Sequence, residues 1–317
     1  MKYFLVHAHH EPKSFNGALT QRASAAITDA GHEVTVSDLF AMDFDPTSDR
    51  RNFATTADSH YLKQQVEERL ASEMGGFAPE IESEITKLEA CDALIFQFPL
   101  WWFGMPAILK GWCDRVLAMG RVYGEGKWYE NGIGAGKRAL VSLTTGGPEA
   151  MYSPDGLNPP MSEILKPINH GVFWFNGFTP VKPFITWGPA RMSDDERAAQ
   201  LDAYARHVLS IQQLPTLPCL PSSEFDPKQG FRDTRTRFHV AWQIADGAAP
   251  KAETREAERT ALDEWRRSGV LVDSWIAKDH RRGGMTLRVT DHAEVDRLLA
   301  TLPLADMLRF DTVEIEP

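Results

Sequence analysis

Through the first two thirds of the chain, short apolar runs alternate with segments whose apolar residues recur every three or four positions. This is the pattern of a parallel sheet covered by helices on both faces. The runs predict strands over Tyr3–His7, Glu33–Asp38, Ala93–Phe98, Arg138–Thr144 and Val181–Ile185. Between the first two, Phe15, Leu19, Ala23 and Ile27 share one helical face, with Ser14 able to cap the helix and Gly31 to end it. Pro79 ahead of Ile81, Ile85 and Leu88, and Pro106 ahead of Leu109, Trp112 and Val116, signal two further helices. A capping box from Ser193 to Glu196 opens another. Five strands with intervening helices predict an α/β, doubly wound parallel sheet, in which ligands sit beyond the carboxyl ends of the strands.

From Leu214 to Pro227 this pattern stops. Pro215, Pro218, Pro221 and Pro227, with Ser222 and Ser223 among them, predict an extended linker. Beyond it the pattern predicts a strand near Arg237–Ile244, then a helix carrying Ala257, Ala261, Leu262 and Trp265 and closed by Gly269. Strands near Leu271–Ala277 and Met285–Val289, a helix from Asp291 and a last strand at Thr312–Ile315 complete it. That order, βαββαβ, is the ferredoxin-like α+β arrangement. The expected organisation is a flavodoxin-like domain of five parallel strands over residues 1–213, a Pro-rich linker over 214–227, and a smaller ferredoxin-like domain over 228–317.

Composition narrows the function classes. At 317 residues, 43% hydrophobic and 25% charged, the chain excludes wholesale disorder, a collagen-like structure and a coiled coil. A net charge of -10 argues against binding nucleic acid or an anionic membrane surface. Cys91, Cys113 and Cys219 are too widely spaced to offer a disulfide framework or a CxxC pair. Met1–Val6 run into His7 without a signal-peptide core, and no uncharged apolar run reaches the ~18 residues of a membrane span. The expectation is a cytoplasmic protein that is not an integral membrane protein.

Three loops at strand carboxyl ends hold the candidate chemistry. After the third strand, Pro99, Leu100, Trp101, Trp102 and Phe103 offer rings against which a flat aromatic ligand can lie; a packing cluster is the alternative. After the fourth, Thr144, Thr145, Gly146 and Gly147 lead to Met151 and Tyr152. Glycine there admits a ligand close to the backbone, and hydroxyl and N–H groups can meet the polar edge of a ring, although a plain tight turn reads equally well. After the first, His9 is followed by Ser14, Phe15 and Asn16 at a helix N-terminus that favours phosphate, unless Ser14 is only a cap. None of the bland alternatives predicts that all three loops meet at one edge of the sheet.

Other signals carry less. His7, His9 and His10 lack the companions of a metal site, so no metal is expected. Gly132, Gly134 and Gly136 precede a strand and open no helix, the wrong context for a dinucleotide fingerprint. Arg281–Gly284 reads as a hairpin turn.

The segments HAHHEPKSFNGAL, KLEACDALIFQFPLWWFGMPAILKGW, LTTGGPEAMYSPDG and GVFWFNGF, in this order and spacing, resemble the FAD-dependent NAD(P)H:quinone oxidoreductases of the flavodoxin-like superfamily. The resemblance implies that His9, Ser14, Phe15 and Asn16 hold the pyrophosphate side of FAD. Pro99, Leu100, Trp101, Trp102 and Phe103, with Thr144, Thr145, Gly146 and Gly147, would line the isoalloxazine, with Tyr152 and Arg197 near its pyrimidine edge. Trp102, Phe103 and Phe175 would form a pocket used in turn by nicotinamide and quinone, with Tyr123 reaching in from the partner subunit of a dimer. Adenine contacts would fall in the less similar stretch Ala57–Gly76, and FAD is expected over FMN. The implied reaction is ping-pong: NAD(P)H gives a hydride to the flavin and leaves, and a quinone, azo or nitro compound then takes two electrons. A flavin-binding regulatory or accessory subunit, as some relatives are for potassium-efflux systems, is the reading from another class.

Two positions depart from the family pattern. Where its best-known members pair a tyrosine with a histidine six residues on to manage charge on the reduced flavin, Tyr152 is followed by Asn158, which donates a hydrogen bond but cannot titrate. Glu125 stands where the family often has another aromatic residue. The end of the chain, LLATLPLADMLRFDTVEIEP, resembles muconolactone isomerase and its small ferredoxin-like relatives, which associate sheet to sheet. This implies a homodimer or higher homo-oligomer. His239, Glu258 and His280 are candidate acid–base groups for a bifunctional aromatic-catabolism enzyme, although isolated ionisable residues more often serve solvation.

Overall fold

The computed structural model describes residues 1–226, 230–231 and 236–315, so that Pro227 and Pro317 lie outside the described residues. The chain divides into two compact units, Met1–Pro221 and Ser222–Pro317.

In the first unit, strands β1 (Lys2–His7), β2 (Glu33–Asp38), β3 (Ala93–Pro99), β4 (Arg138–Thr145) and β5 (Thr179–Pro180) lie in the order β2-β1-β3-β4-β5, and β6 (Phe184–Trp187) also pairs with β4. All pairings are parallel. Every residue of β3 is buried, as expected for a central strand covered on both faces. Leu19, Ala23 and Ile27 of α1 (Phe15–Asp29) form one core with Leu5 and Ile95, joined by Tyr204 and Val208 of the last helix of the unit, Asp194–Leu209. On the other face, Ile81, Ile85 and Leu88, within Pro79–Ala90, and Leu109, Trp112 and Val116, within Ala107–Val116, pack on Phe4, Phe96 and Val141.

Three features differ from the sequence reading. The expected fifth strand is split into β5 and β6. Pro183 has no N–H to contribute to a ladder, and the Lys182 N–H turns away to Pro215 O at 2.9 Å. Next, the first unit runs to Pro221, past Leu214, because the Pro-rich stretch is strapped onto its edge. Thr216 bridges Val181, Leu217 N–H reaches Pro180 O at 2.8 Å, and Trp174 Nε1 reaches Leu220 O at 3.3 Å. Finally, two helices not predicted, α2 (Gln64–Met74) and α5 (Met161–Lys166), join α3 (Pro79–Ala90), α4 (Ala107–Val116) and α6 (Asp194–Leu209). The buried face of α2 is Glu67, Glu68 and Ala71, so it has no apolar stripe to read.

The second unit carries β7 (Thr236–Ile244), α7 (Ala252–Arg267), β8 (Leu271–Ile276), β9 (Arg282–Val289), α8 (His292–Ala300) and β10 (Leu308–Ile315). The antiparallel order β8-β9-β7-β10 realises the expected βαββαβ arrangement. Phe238, Val240, Met285 and Leu287 pack with Trp265 of α7 and with Val295 and Leu299 of α8. Gly283 and Gly284, expected in a turn, lie inside β9. A Cβ on Gly283 would come within 2.4 Å of Trp275 O, and one on Gly284 within 2.6 Å of the Trp275 indole nitrogen, so glycine lets Trp275 lie on the strand.

Candidate active site at the carboxyl edge of the parallel sheet

Parallel pairing sets Gln97 of β3 beside Ser142 of β4, so the residues just beyond emerge at one edge. There the Asn16 amide donates to Thr144 Oγ1 at 2.9 Å and accepts from Gln97 Nε2 at 2.8 Å. All three side chains are buried, so this bridge locks the start of α1 to the ends of β3 and β4. Ser14 caps the helix by accepting from Gly17 N at 3.1 Å. The first-turn N–H groups of Phe15 and Asn16 have no carbonyl in their own helix to bond. They open toward a cavity of about 430 Å³ lined by Lys13, Ser14, Phe15, Thr144, Ala190 and Arg197, among others. Lys13 escaped the sequence reading because a lone lysine in a loop carries no pattern.

Two histidines flank this corner as neutral rings. The His9 pKa is lowered by burial and then by its stacked neighbour His10, whose ring centroid lies 4.8 Å away, and His9 Nδ1 accepts from Glu11 N at 3.0 Å. Burial also holds His7 down, and its Nδ1 lies 2.8 Å from Thr20 Oγ1. Lys13 and Arg197 are therefore the cations at the cavity. Arg197 is steadied by Pro189 O at 3.3 Å, Met192 O and the Asp194 carboxylate, and it lines the α1 cavity, whereas Tyr152 stacks elsewhere.

The aromatic segment after β3 forms a two-residue reverse turn. Trp101 and Gly104 exchange backbone hydrogen bonds at 3.2 and 3.0 Å, and both central residues have positive φ, Trp102 at 50° and Phe103 at 59°. A turn of this form is ordinarily built from Asn and Gly, and bulky side chains in the left-handed region are strained. Trp102 is 98% exposed and Phe103 49%, so the packing-cluster alternative does not describe them. Pro99 is buried at the end of β3, and Leu100 N–H bonds Thr144 O at 2.8 Å, tying this turn to β4. Thr145 Oγ1 donates to Gly147 O at 2.7 Å and shapes the second loop. Among the described residues, the N–H groups of Trp102, Phe103, Gly146 and Gly147 bond no acceptor within the chain. Tyr152 stands beside Trp187 with ring centroids 5.5 Å apart, and Asn158 N–H closes its loop on Met151 O at 2.8 Å.

Tyr123 and Phe175 form a separate group. Their rings lie 5.7 Å apart, and both line a second cavity of about 360 Å³. Among the described residues the other ring against Phe175 is Tyr129 at 5.5 Å, so within one chain Phe175 belongs with Tyr123 and not, as expected, with Trp102 and Phe103. In the second unit the three candidate groups do not converge. His239 alternates with buried Phe238 and Val240 and faces away from the helices, Glu258 is buried on α7 accepting from Leu304 N at 3.0 Å, and His280 sits beyond β8 with φ 52°. Among the described residues no His, Cys, Asp or Glu side chains gather as a metal site, and no helix is long and apolar enough to cross a membrane.

Residues 1–210 match the family model described as a flavodoxin-like fold, and residues 236–317 match that of muconolactone delta-isomerase. The first unit is thus a flavodoxin-like domain. NAD(P)H dehydrogenase [quinone] 1 of Rattus norvegicus is 40% identical over 223 residues, covering 70% of this chain and 81% of the relative. Ribosyldihydronicotinamide dehydrogenase [quinone] of Pongo abelii is 38% identical over 219 residues, covering 69% and 95%. A solved structure of a putative quinone reductase from Klebsiella pneumoniae superposes with a TM-score of 0.71 at 35% identity, covering 80% of this chain and 98% of its own. The chain belongs to the flavodoxin-like NAD(P)H dehydrogenase (quinone) family of oxidoreductases.

Proposed function

We propose that the protein reduces quinones, or acceptors of similar shape, by two electrons from NAD(P)H, using a bound flavin and one pocket that the two substrates occupy in turn. The observation that carries this reading is the pairing of four unbonded N–H groups, at Trp102, Phe103, Gly146 and Gly147, on the adjoining ends of β3 and β4. Such an array suits the nitrogen and oxygen acceptors along the polar edge of a flavin ring. The α1 N-terminus, with Lys13 and Arg197 beside it, suits phosphate, and two cations match the pyrophosphate of FAD better than the single phosphate of FMN. When bound, the flavin supplies the hydride and electron chemistry; the chain supplies binding, orientation and charge.

Within that division of labour, His9, Ser14, Phe15 and Asn16 hold the phosphate end, while Pro99, Leu100, Trp101, Thr144 and Thr145 shape the bed of the ring. Tyr152 and Asn158 serve its polar rim, where Asn158 donates without exchanging a proton, while Arg197, expected at that rim, joins Lys13 at the phosphate end. Trp102 and Phe103 project as walls for the substrates. Because Tyr123 and Phe175 sit together in a second cavity, a homodimer in which that pair from one copy faces the Trp102–Phe103 turn of the other would complete the pocket. The second unit is assigned to assembly of a homo-oligomer in the cytoplasm. The muconolactone delta-isomerase match keeps an added isomerase activity as a second reading, but His239 and Glu258 lie on opposite sides of their sheet.

The test is to purify the full chain, identify the released flavin chromatographically, and vary NAD(P)H against several fixed benzoquinone concentrations. FAD and parallel double-reciprocal lines are expected. A chain that retains no flavin after reconstitution, or that turns over none of the quinone, azo or nitro acceptors, would refute the proposal.

A further inference from the structure

One face of α2 carries Gln65, Glu68, Arg69 and Ser72 at three- and four-residue spacing, so that all four lie side by side. Each touches the loop 118–127, which bears Tyr123. Gln65 Nε2 donates to Tyr123 Oη at 3.2 Å, Ser72 Oγ donates to Met119 O at 2.8 Å, and Arg69 Nη1 lies 3.9 Å from Glu125 Oε1. Glu68 makes the central contact. Only 3% exposed, it accepts from Met119 N at 2.8 Å through one oxygen and from Gln64 Nε2 at 2.8 Å through the other.

The loop needs such a hold. It reverses at Gly120 and Gly124, whose φ values are 91° and 99°, and its internal closure includes Gly120 N–H on Tyr123 O at 2.7 Å. Met119 adjoins the first reversal, so the bond from its N–H decides where Tyr123 is delivered. Glu68 is the buried acceptor for this group, and removing it would orphan the Met119 N–H. The exposed Arg69–Glu125 pair contributes little by comparison. It does give Glu125, which departs from the family pattern, a partner on the same helix.

We propose that Glu68 is a positioning residue, which by fixing the Met119 amide sets the loop that presents Tyr123 to the substrates. This rests on the reading of Tyr123 as a wall of the substrate pocket. Glu68→Gln retains an oxygen for Met119 N–H, whereas Glu68→Ala retains none. In the flavin-loaded full chain, Glu68→Ala should raise the KM for a benzoquinone about ten-fold with kcat changed by less than about two-fold, and Glu68→Gln should stay close to wild type.

Hydrogen exchange on the flavin-free full chain gives a readout independent of activity. Amides of residues 118–127 should exchange faster in Glu68→Ala, while those of β3 and β4 keep their protection. Unchanged KM and unchanged exchange in Glu68→Ala would overturn the proposal, as would loss of protection across the whole sheet or a glutamine variant as impaired as the alanine one. A wild-type chain that reduces no quinone would instead refute the pocket reading, with loop exchange still deciding whether Glu68 holds residues 118–127.

Discussion

The two units build sheets of opposite character. In the first, helices cover both faces, β3 is buried throughout and β4 nearly so, and polar chemistry can gather only where strands end. In the second, α7 and α8 cover one face. The other face presents His239 and Arg237 of β7 beside Thr286 of β9 and Asp311 and Val313 of β10, with Trp275 of β8 52% exposed. Strain follows the same division. The first unit holds two adjacent bulky residues at positive φ in its exposed turn after β3, whereas among the described residues the second has only His280, in a hairpin. A doubly covered sheet concentrates function at its rim and can stabilise an unfavourable turn there, while a singly covered sheet offers a broad face for association.

The largest effect should come from removing the strained rim. Replacing both Trp102 and Phe103 by glycine relieves the strain of the left-handed conformation and deletes the proposed walls of the pocket. Thermal unfolding should show a gain of about 1–2 kcal/mol, while kcat/KM for a quinone falls about 100-fold. Loss of stability together with activity would mean that these rings pack rather than bind. A smaller effect is expected at the polar edge. Asn158→His should add a step of a few-fold to the pH profile of quinone reduction near the ordinary imidazole value of ~6.5, and the unsubstituted protein should show no step from this position.

In the second unit the expected effects are structural. Burial, opposed by the Leu304 N–H bond, lifts the Glu258 carboxyl above its ordinary value of 4.5. A carboxyl raised on folding destabilises the fold above its folded pKa, and this cost vanishes below the unfolded value. Glu258→Gln, which keeps an acceptor for Leu304, should therefore raise the melting temperature of this unit by at most a few degrees at neutral pH. The gain should fade as the pH is lowered toward 4.5. The smallest effect on turnover should follow from ending the chain after Pro221. The relative from Pongo abelii is covered to 95% of its length by a match that spans only 69% of this chain. The shortened chain should thus keep kcat and KM within about two-fold while its oligomer, read by light scattering, becomes smaller. Lost turnover would show that the units share the catalytic work.

Much of this arrangement was legible in the sequence, for identifiable reasons. Leu19, Ala23 and Ile27 in α1, and the unbroken apolar run of β3, are signals that burial itself requires. That His9, Asn16 and Thr144 line one cavity followed from the rule that parallel strands point their carboxyl ends the same way. What stayed hidden is held by polar atoms. The buried face of α2 is two glutamates and an alanine, so hydrophobic periodicity is blind to it, and the hold of that helix on Met119 and Tyr123 depends on hydrogen bonds across a long sequence separation. The split at Pro183 and the strapping of Thr216 onto Val181 depend on which backbone groups find partners. The grouping of Phe175 with Tyr123 is a tertiary contact that the GVFWFNGF segment does not encode locally.

The most direct test of the central claim is anaerobic stopped-flow absorbance on the full chain reconstituted with FAD, mixed first with NADH or NADPH and then with a benzoquinone. The account predicts rapid bleaching of the flavin by at least one donor and rapid recolouring by the quinone. Bound flavin that neither donor bleaches would contradict it and favour a flavin-binding regulatory or accessory subunit.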